Sequence, residues 1–220
     1  MIQQSRYGVE FKVTEQNDPA LDNFWRNAYS GWEGETYDCI LPNLSKDKVF
    51  LDIGAWQGPI SMVAQKYSKQ CICFEPDPIA YELLVKNIEI NNFQNVIAVN
   101  AAVSSEASLS IGHDQLGGGV SSYLNNENSI KCNTISFSNI LETFNLNESN
   151  ISVIKIDIEG YECELLQDPL IQQINVHKHI SLHGGFFEDK VQYRNKLRNF
   201  FGIGFELPSN EFASFFIHKQ

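Results

Sequence analysis

Basic residues are scarce in this chain: 16 lysines and arginines stand against 27 aspartates and glutamates, a net charge of −11 over 220 residues. A protein that tracks a phosphate backbone needs a basic stripe, so no nucleic acid partner is expected. The one basic cluster, Lys190, Arg194, Lys196 and Arg198, falls on a predicted late helix and is expected to be a solvated face. Cysteine is sparse and has no pairing pattern: five residues, at 39, 71, 73, 132 and 163, lack CxxC or zinc spacing. An odd count of that kind fits a reducing compartment, not a disulfide framework. Cys71 and Cys73 share one face of a strand as small buried hydrophobes. No apolar run approaches a membrane span, and residues 1–6 lack the apolar core of a signal peptide. The chain is therefore expected to be soluble and cytoplasmic, with no membrane partner. Repeats and low-complexity tracts are missing as well, and nothing in the pattern sets an oligomeric state.

What is present suffices for one substantial core, since a chain of this length buries roughly 70% of its unfolded surface. From Val49 onward apolar strands and helical stretches alternate. The pattern predicts strands at 49–53, 70–75, 95–101, 151–157 and 178–183, with helices near 59–67, 77–91, 138–145 and 159–167. Such alternation gives an α/β protein in three layers, a parallel sheet with helices on both faces. The β-branched segment 151–157 belongs at the sheet centre. Residues 1–45, polar and aromatic, are expected to form a short N-terminal helical cap whose last helix covers roughly 35–44, and residues 46–220 form the main domain. Between 104 and 137 Ser, Gly and Asn dominate, Gly117-Gly118-Gly119 among them, which predicts an insertion with a hairpin and loops. After a helix near 188–201, strands around 204–208 and 212–218 are expected to close the sheet edge as an antiparallel hairpin.

Ligands of an open parallel sheet sit beyond the carboxyl ends of its strands, so each strand matters most at its last residue. The first runs into Leu51-Asp-Ile-Gly-Ala-Trp-Gln-Gly-Pro59, a strand, a glycine turn and a helix start where backbone can approach a nucleotide-like ligand. Asp52 stands where a dinucleotide fingerprint needs its first glycine. That argues against a pyrophosphate cradle and for a cofactor with an amino-acid end, whose ammonium an acidic turn can hold. Gly54, Ala55, Trp56 and Gly58 complete the loop. Glu75, 23 residues after Asp52 and followed by Pro76, is placed to accept hydrogen bonds from a ribose diol. Asn100, Ala101 and Ala102 end the third strand with small residues on which an adenine can lie flat.

The fourth strand ends in Lys155-Ile-Asp157-Ile-Glu159-Gly160-Tyr161-Glu162. Carboxylates around a glycine turn at a cleft rim are costly unless they bind something. Asp157 is the best placed of them, to orient an acceptor, act as base or ligate an ion, while Glu162 and Glu164 suit the first turn of the next helix. Of the three histidines on the fifth strand, 177, 179 and 183, only His183 reaches the ligand edge. Mixed oxygen and nitrogen donors at Asp157, Glu159 and His183 do not by themselves make a metal site, and none is assigned.

Four blocks, Asp52-Ile-Gly-Ala-x-x-Gly58, Phe74-Glu75-Pro, Asn100-Ala-Ala-Val-Ser and Ile154-Lys-Ile-Asp-Ile-Glu-Gly-Tyr-Glu162, resemble the FkbM family of S-adenosylmethionine-dependent methyltransferases. The resemblance runs from about Glu35 to the C-terminus. It implies a Rossmann-like methyltransferase fold with a mostly parallel seven-stranded sheet, S-adenosylmethionine as cofactor, and O-methylation of a hydroxyl on a small molecule or carbohydrate. By position it makes Asp52, Gly54 and Gly58 the loop at the methionine end, Glu75 the ribose acid, Asp157 the acid beside the transferred methyl, and Glu35 an acid preceding the first strand. The chain departs from the family pattern at Trp56, where relatives carry asparagine. The preferred base is His183, with Asp157 the second choice and Glu159 beside them. Trp56 and the cap aromatics can shield a sulfonium or stack a substrate ring. Two rival readings are an NAD-type oxidoreductase, which Asp52 argues against, and a cofactor-binding interaction module without catalysis, which the intact acid set argues against.

Overall fold

A computed structural model describes residues 1–16, 18–113, 121–122, 129–184, 189–202 and 212–219. The first thirteen residues depart from the expected helical cap. Strands β1 (Ile2–Arg6) and β2 (Val9–Val13) form an antiparallel hairpin. Its turn is Tyr7-Gly8, both with positive φ, as a two-residue hairpin loop demands. Val9, Phe11 and Val13 alternate inward, a strand period that an amphipathic helix does not have. Helical turns follow: α1 (Pro19–Asn23), a π turn over Phe24–Ala28, a 3-10 turn over Tyr29–Gly31, and α2 (Gly34–Ile40) close to the expected last helix.

From there the alternation holds. The order is β3 (Val49–Ile53), α3 (Pro59–Ala64), β4 (Gln70–Phe74), α4 (Pro78–Ile90) and β5 (Val96–Val99). The insertion brings β6 (Ala102–Val103), β7 (Leu109–His113), β8 (Ser121–Ser122), β9 (Ser129–Cys132) and β10 (Thr134–Ile135). β7 pairs antiparallel with both β8 and β9, and β6 pairs parallel with β10. The expected Gly117–Gly119 loop lies outside the described residues. Then come α5 (Phe137–Thr143), β11 (Ile151–Ile156), α6 (Glu162–Leu165), α7 (Pro169–Gln173), β12 (His177–His183), α8 (Lys190–Phe201) and β13 (Phe212–Ile217).

The central sheet runs β13-β12-β11-β3-β4-β5, six strands among the described residues where seven were expected. All neighbours are parallel except β13, which pairs antiparallel with β12 from Lys178↔Ile217 to His183↔Phe212. β13 therefore closes the sheet on β12; the expected hairpin partner at 204–208 lies outside the described residues. Side chains alternate between two cores. Leu51, Ile53, Ile72 and Phe74 point to the layer of α5 and α6, while Phe50, Cys71 and Cys73 point to that of the N-terminal hairpin and α3. Both cysteines are thus buried, and burial pushes each thiol well above its ordinary range. Among the described residues no helix is long and apolar enough to cross a membrane.

Candidate active site at the carboxyl edge of the sheet

The carboxyl ends of β3, β4, β11 and β12 open onto a cavity of about 350 Å³. Of the expected residues, Gly54, Ala55, Trp56, Glu75, Pro76, Ala101, Ala102, Asp157, Glu159 and His183 line it. Four others do not, for separate physical reasons. Asp52 is fully buried: its Oδ2 accepts from Ser61 Oγ at 2.6 Å and its Oδ1 lies 3.1 Å from Lys155 Nζ. Gly58 (φ +89°) packs against Leu84, whose Cδ1 stands 2.6 Å from where a Cβ would be. Asn100 acts from behind, donating from Nδ2 to the Glu75 and Pro76 carbonyls at 2.9 and 3.3 Å. Glu35 is exposed on the first turn of α2, and it is Glu33, two residues earlier, that faces the cavity.

Gly54 also serves a close approach within the fold itself. A Cβ there would lie 1.8 Å from the Asp157 carbonyl oxygen, so the glycine lets two strand ends meet. Between those ends sits Lys155, whose signal in the sequence is a lone lysine within an apolar, β-branched strand. Its Nζ donates to the Gly54 carbonyl at 2.9 Å and pairs with Asp52 at 3.1 Å and Asp157 at 3.3 Å. Burial works to neutralise this amine, but the two aspartates outweigh it and hold it charged. The same pairing, helped by His183, outweighs burial at Asp157 and keeps that carboxyl below its ordinary value.

Glu75 is held from two sides: Oε2 accepts the Trp56 N–H at 2.7 Å and Oε1 the Asp77 N–H at 2.9 Å. Burial nevertheless lifts it to about 7. Trp56 takes up the left-handed conformation (φ +49°) that asparagine adopts more easily than tryptophan. Its indole stacks on Trp25 at 6.1 Å and meets Phe24 edge-on at 5.1 Å. Phe24 and Trp32 belong to the cavity wall, so the N-terminal aromatics do reach the site.

His183 ends β12 with Nδ1 2.5 Å from Glu162 Oε1 and Nε2 3.5 Å from Asp157 Oδ1. Burial alone would lower its pKa, but the Glu162, Asp157 and Glu159 carboxylates overrule it and lift the imidazole to about 9. Glu162 was expected to decorate a helix start. It is instead fully buried, accepting the Gly160 N–H on both oxygens at 3.1 Å and anchoring the histidine. Glu164 does decorate α6, paired with Lys196 of α8. Glu159, left-handed at φ +47°, is lifted to about 8, chiefly by burial. Glu33 is lifted to about 7 by burial and by the nearby charge of Asp157.

The family whose pattern matches is the methyltransferase FkbM domain, over residues 38–207. The chain belongs to that family. Its cofactor is S-adenosylmethionine, and the cavity fits it. Acids outnumber cations around the cavity, and Glu33 Oε2 and the Trp56 Nε1 are buried with no hydrogen-bond partner among the described residues. A ligand with positive charge and both donors and acceptors answers that lining. Among proteins similar to this FkbM domain is Uncharacterized protein MJ1452 of Methanocaldococcus jannaschii, 31% identical over 62 residues. That stretch is 28% of this chain and spans about a quarter (24%) of the relative. M. jannaschii TYW2, solved in complex with AdoMet, is 15% identical with a TM-score of 0.47, covering 90% of this chain and 71% of that one. An rRNA methylase of Streptococcus thermophilus is 10% identical with a TM-score of 0.50, covering 84% of this chain and 95% of that one.

The likeness identifies the fold as a Rossmann-like methyltransferase fold. It also corrects the expectation that nucleic acid is excluded. An rRNA methylase shares this fold, so overall acidity does not remove nucleic acid from the possible acceptor classes.

Proposed function

We propose that this FkbM domain catalyses transfer of a methyl group from S-adenosylmethionine to a hydroxyl oxygen, on a small molecule or a sugar, the ribose of an RNA chain included. The observation that carries the reading is the convergence of Asp157, Glu159 and His183 on the cavity that Glu75 and the 54–56 loop also line. The cofactor supplies an electrophilic methyl already activated on a sulfonium. The residues then have to align the acceptor, exclude water and take one proton from it.

His183 was the preferred base, but an imidazole lifted to about 9 is already protonated near neutrality. Clamped by Glu162 on one nitrogen, it serves better to orient and balance the charges of Asp157 and Glu159. Glu159, at about 8, is matched to accept a hydroxyl proton at mildly alkaline pH. Asp157, tied to Lys155, directs the acceptor. Residues 1–45 work as one unit with 46–220, since Phe24 and Trp32 wall the same cavity as the strand ends. Five free cysteines support a reducing, cytoplasmic setting.

The test is radiolabelled methyl transfer from S-adenosylmethionine to fractionated small molecules, glycans and RNA, followed by identification of the methylated atom. Label on a hydroxyl oxygen is the expected result; label on nitrogen or carbon would overturn O-methylation. Binding of S-adenosylmethionine without transfer to any fraction would favour a module without catalysis. With an acceptor in hand, Glu159→Gln is expected to lower kcat by about 10²–10⁴-fold. His183→Gln is expected to lose less and to shift the pH profile. A Glu159→Gln enzyme at wild-type rate would return the base role to another group.

A further inference from the structure

Four carboxylates line the cavity: Glu33, Glu75, Asp157 and Glu159. Glu75 spends both oxygens on backbone N–H groups at the end of β4. Asp157 is paired with Lys155 and faces His183, and Glu159 stands with them on the β11 side. Asp52, the acid first expected to hold an ammonium, is sealed beneath the loop by Ser61 and Lys155. Glu33 comes from the segment before the first strand of the central sheet, and its Oε2 is buried with no hydrogen-bond partner among the described residues.

We propose that Glu33 is the anchor for the α-ammonium at the methionine end of the cofactor, a deepening that rests on the cofactor reading above. The chemistry of the vacant oxygen selects among the cofactor's groups. A sulfonium carries charge but no N–H or O–H, so it leaves a carboxylate oxygen unsatisfied. Ribose hydroxyls carry no charge and belong to Glu75, on β4. A primary ammonium brings both charge and three donors. Its neighbours agree: Asp157 is the charge that acts most strongly to raise Glu33, so a cation beside both relieves their repulsion. Trp32 and Trp56, which line the same cavity, exclude water from that contact and strengthen it. Glu33 is held there by the hairpin, because the buried Arg6 donates to the Trp32 carbonyl beside it and to the Tyr29 carbonyl at 2.6 Å.

Calorimetric titration of the full chain with three ligands tests this: S-adenosylhomocysteine, its deaminated analogue and 5′-methylthioadenosine. Wild type is expected to bind S-adenosylhomocysteine about 10- to 100-fold more tightly than the deaminated analogue, on the scale of a desolvated charged hydrogen bond. Glu33→Gln is expected to erase that difference while keeping wild-type affinity for 5′-methylthioadenosine. Equal loss for all three ligands would make Glu33 a mere wall residue and overturn the proposal. So would a wild type that binds the first two alike, a result that needs no variant to fold. A wild type that binds none of the three would instead bring down the cofactor reading, and the proposal with it.

Discussion

Lys155 faces Asp52 across the β11–β3 pairing and shares a strand face with Asp157, so one amine serves two carboxylates at the junction of two strand ends. Removing it strands two buried charges. Lys155→Met is expected to cost about 3–5 kcal/mol in denaturant unfolding. Adding Asp52→Asn should recover part of that loss, because a neutral pair has no charge to bury. If the double variant were no more stable than the single one, the pairing would not be what holds the junction. Gly54→Ala belongs beside it. The added methyl meets the Asp157 carbonyl carbon and oxygen, which are backbone and cannot swing away, at a left-handed φ of +81°. A loss of about 3 kcal/mol or more is expected, whether or not cofactor is present. Were Gly54→Ala to weaken only cofactor binding, the glycine would serve the ligand and not the strand junction.

At the scale of elements, the N-terminal hairpin supports a wall of the site. Arg6 stacks over the Tyr37 ring at 4.1 Å while it ties down the Tyr29 and Trp32 carbonyls. Arg6→Met would leave those carbonyls buried without a donor, at roughly 2–4 kcal/mol. It is also expected to weaken S-adenosylhomocysteine binding although Arg6 is not part of the cavity lining. Unchanged affinity in a folded variant would separate the hairpin from the site. This element was the least legible in the sequence. Its aromatic residues suggest a cap, and only the Val9-Glu-Phe-Lys-Val13 alternation marks a strand. The sheet strands were easy by contrast, because strands buried on both faces carry continuous apolar runs between glycine and proline punctuation. The strand-end residues that line the cavity are placed there by the same logic. Glu33 is not, because which acid of Glu33 and Glu35 turns inward depends on a left-handed turn at Glu33 that no side-chain pattern encodes. Glu162 failed for a similar reason: its inward path is set by the turn at Glu159 and Gly160, both at positive φ.

Over the whole molecule these groups couple stability to pH and to ligand. Glu33 and Glu75 at about 7 and Glu159 at about 8 all bind protons more tightly folded than unfolded. Their contribution is fully present below the unfolded carboxylate value of about 4.5 and is lost as pH rises through 7 to 8. His183, raised to about 9, adds the same sign: its stabilisation is present below about 6.5 and lost as pH rises through 9. Without ligand, the protein is therefore expected to lose stability between pH 5 and pH 9, on the order of 1–3 kcal/mol. A ligand that carries an ammonium into the cavity favours the ionised acids and releases protons on binding. Thermal melts at pH 6 and pH 8, with and without S-adenosylhomocysteine, give the readout. The rise in Tm on adding ligand should be larger at pH 8, where Glu33 and Glu75 are already mostly ionised. An equal rise at both pH values would mean that the buried acids do not respond to the ligand's charge.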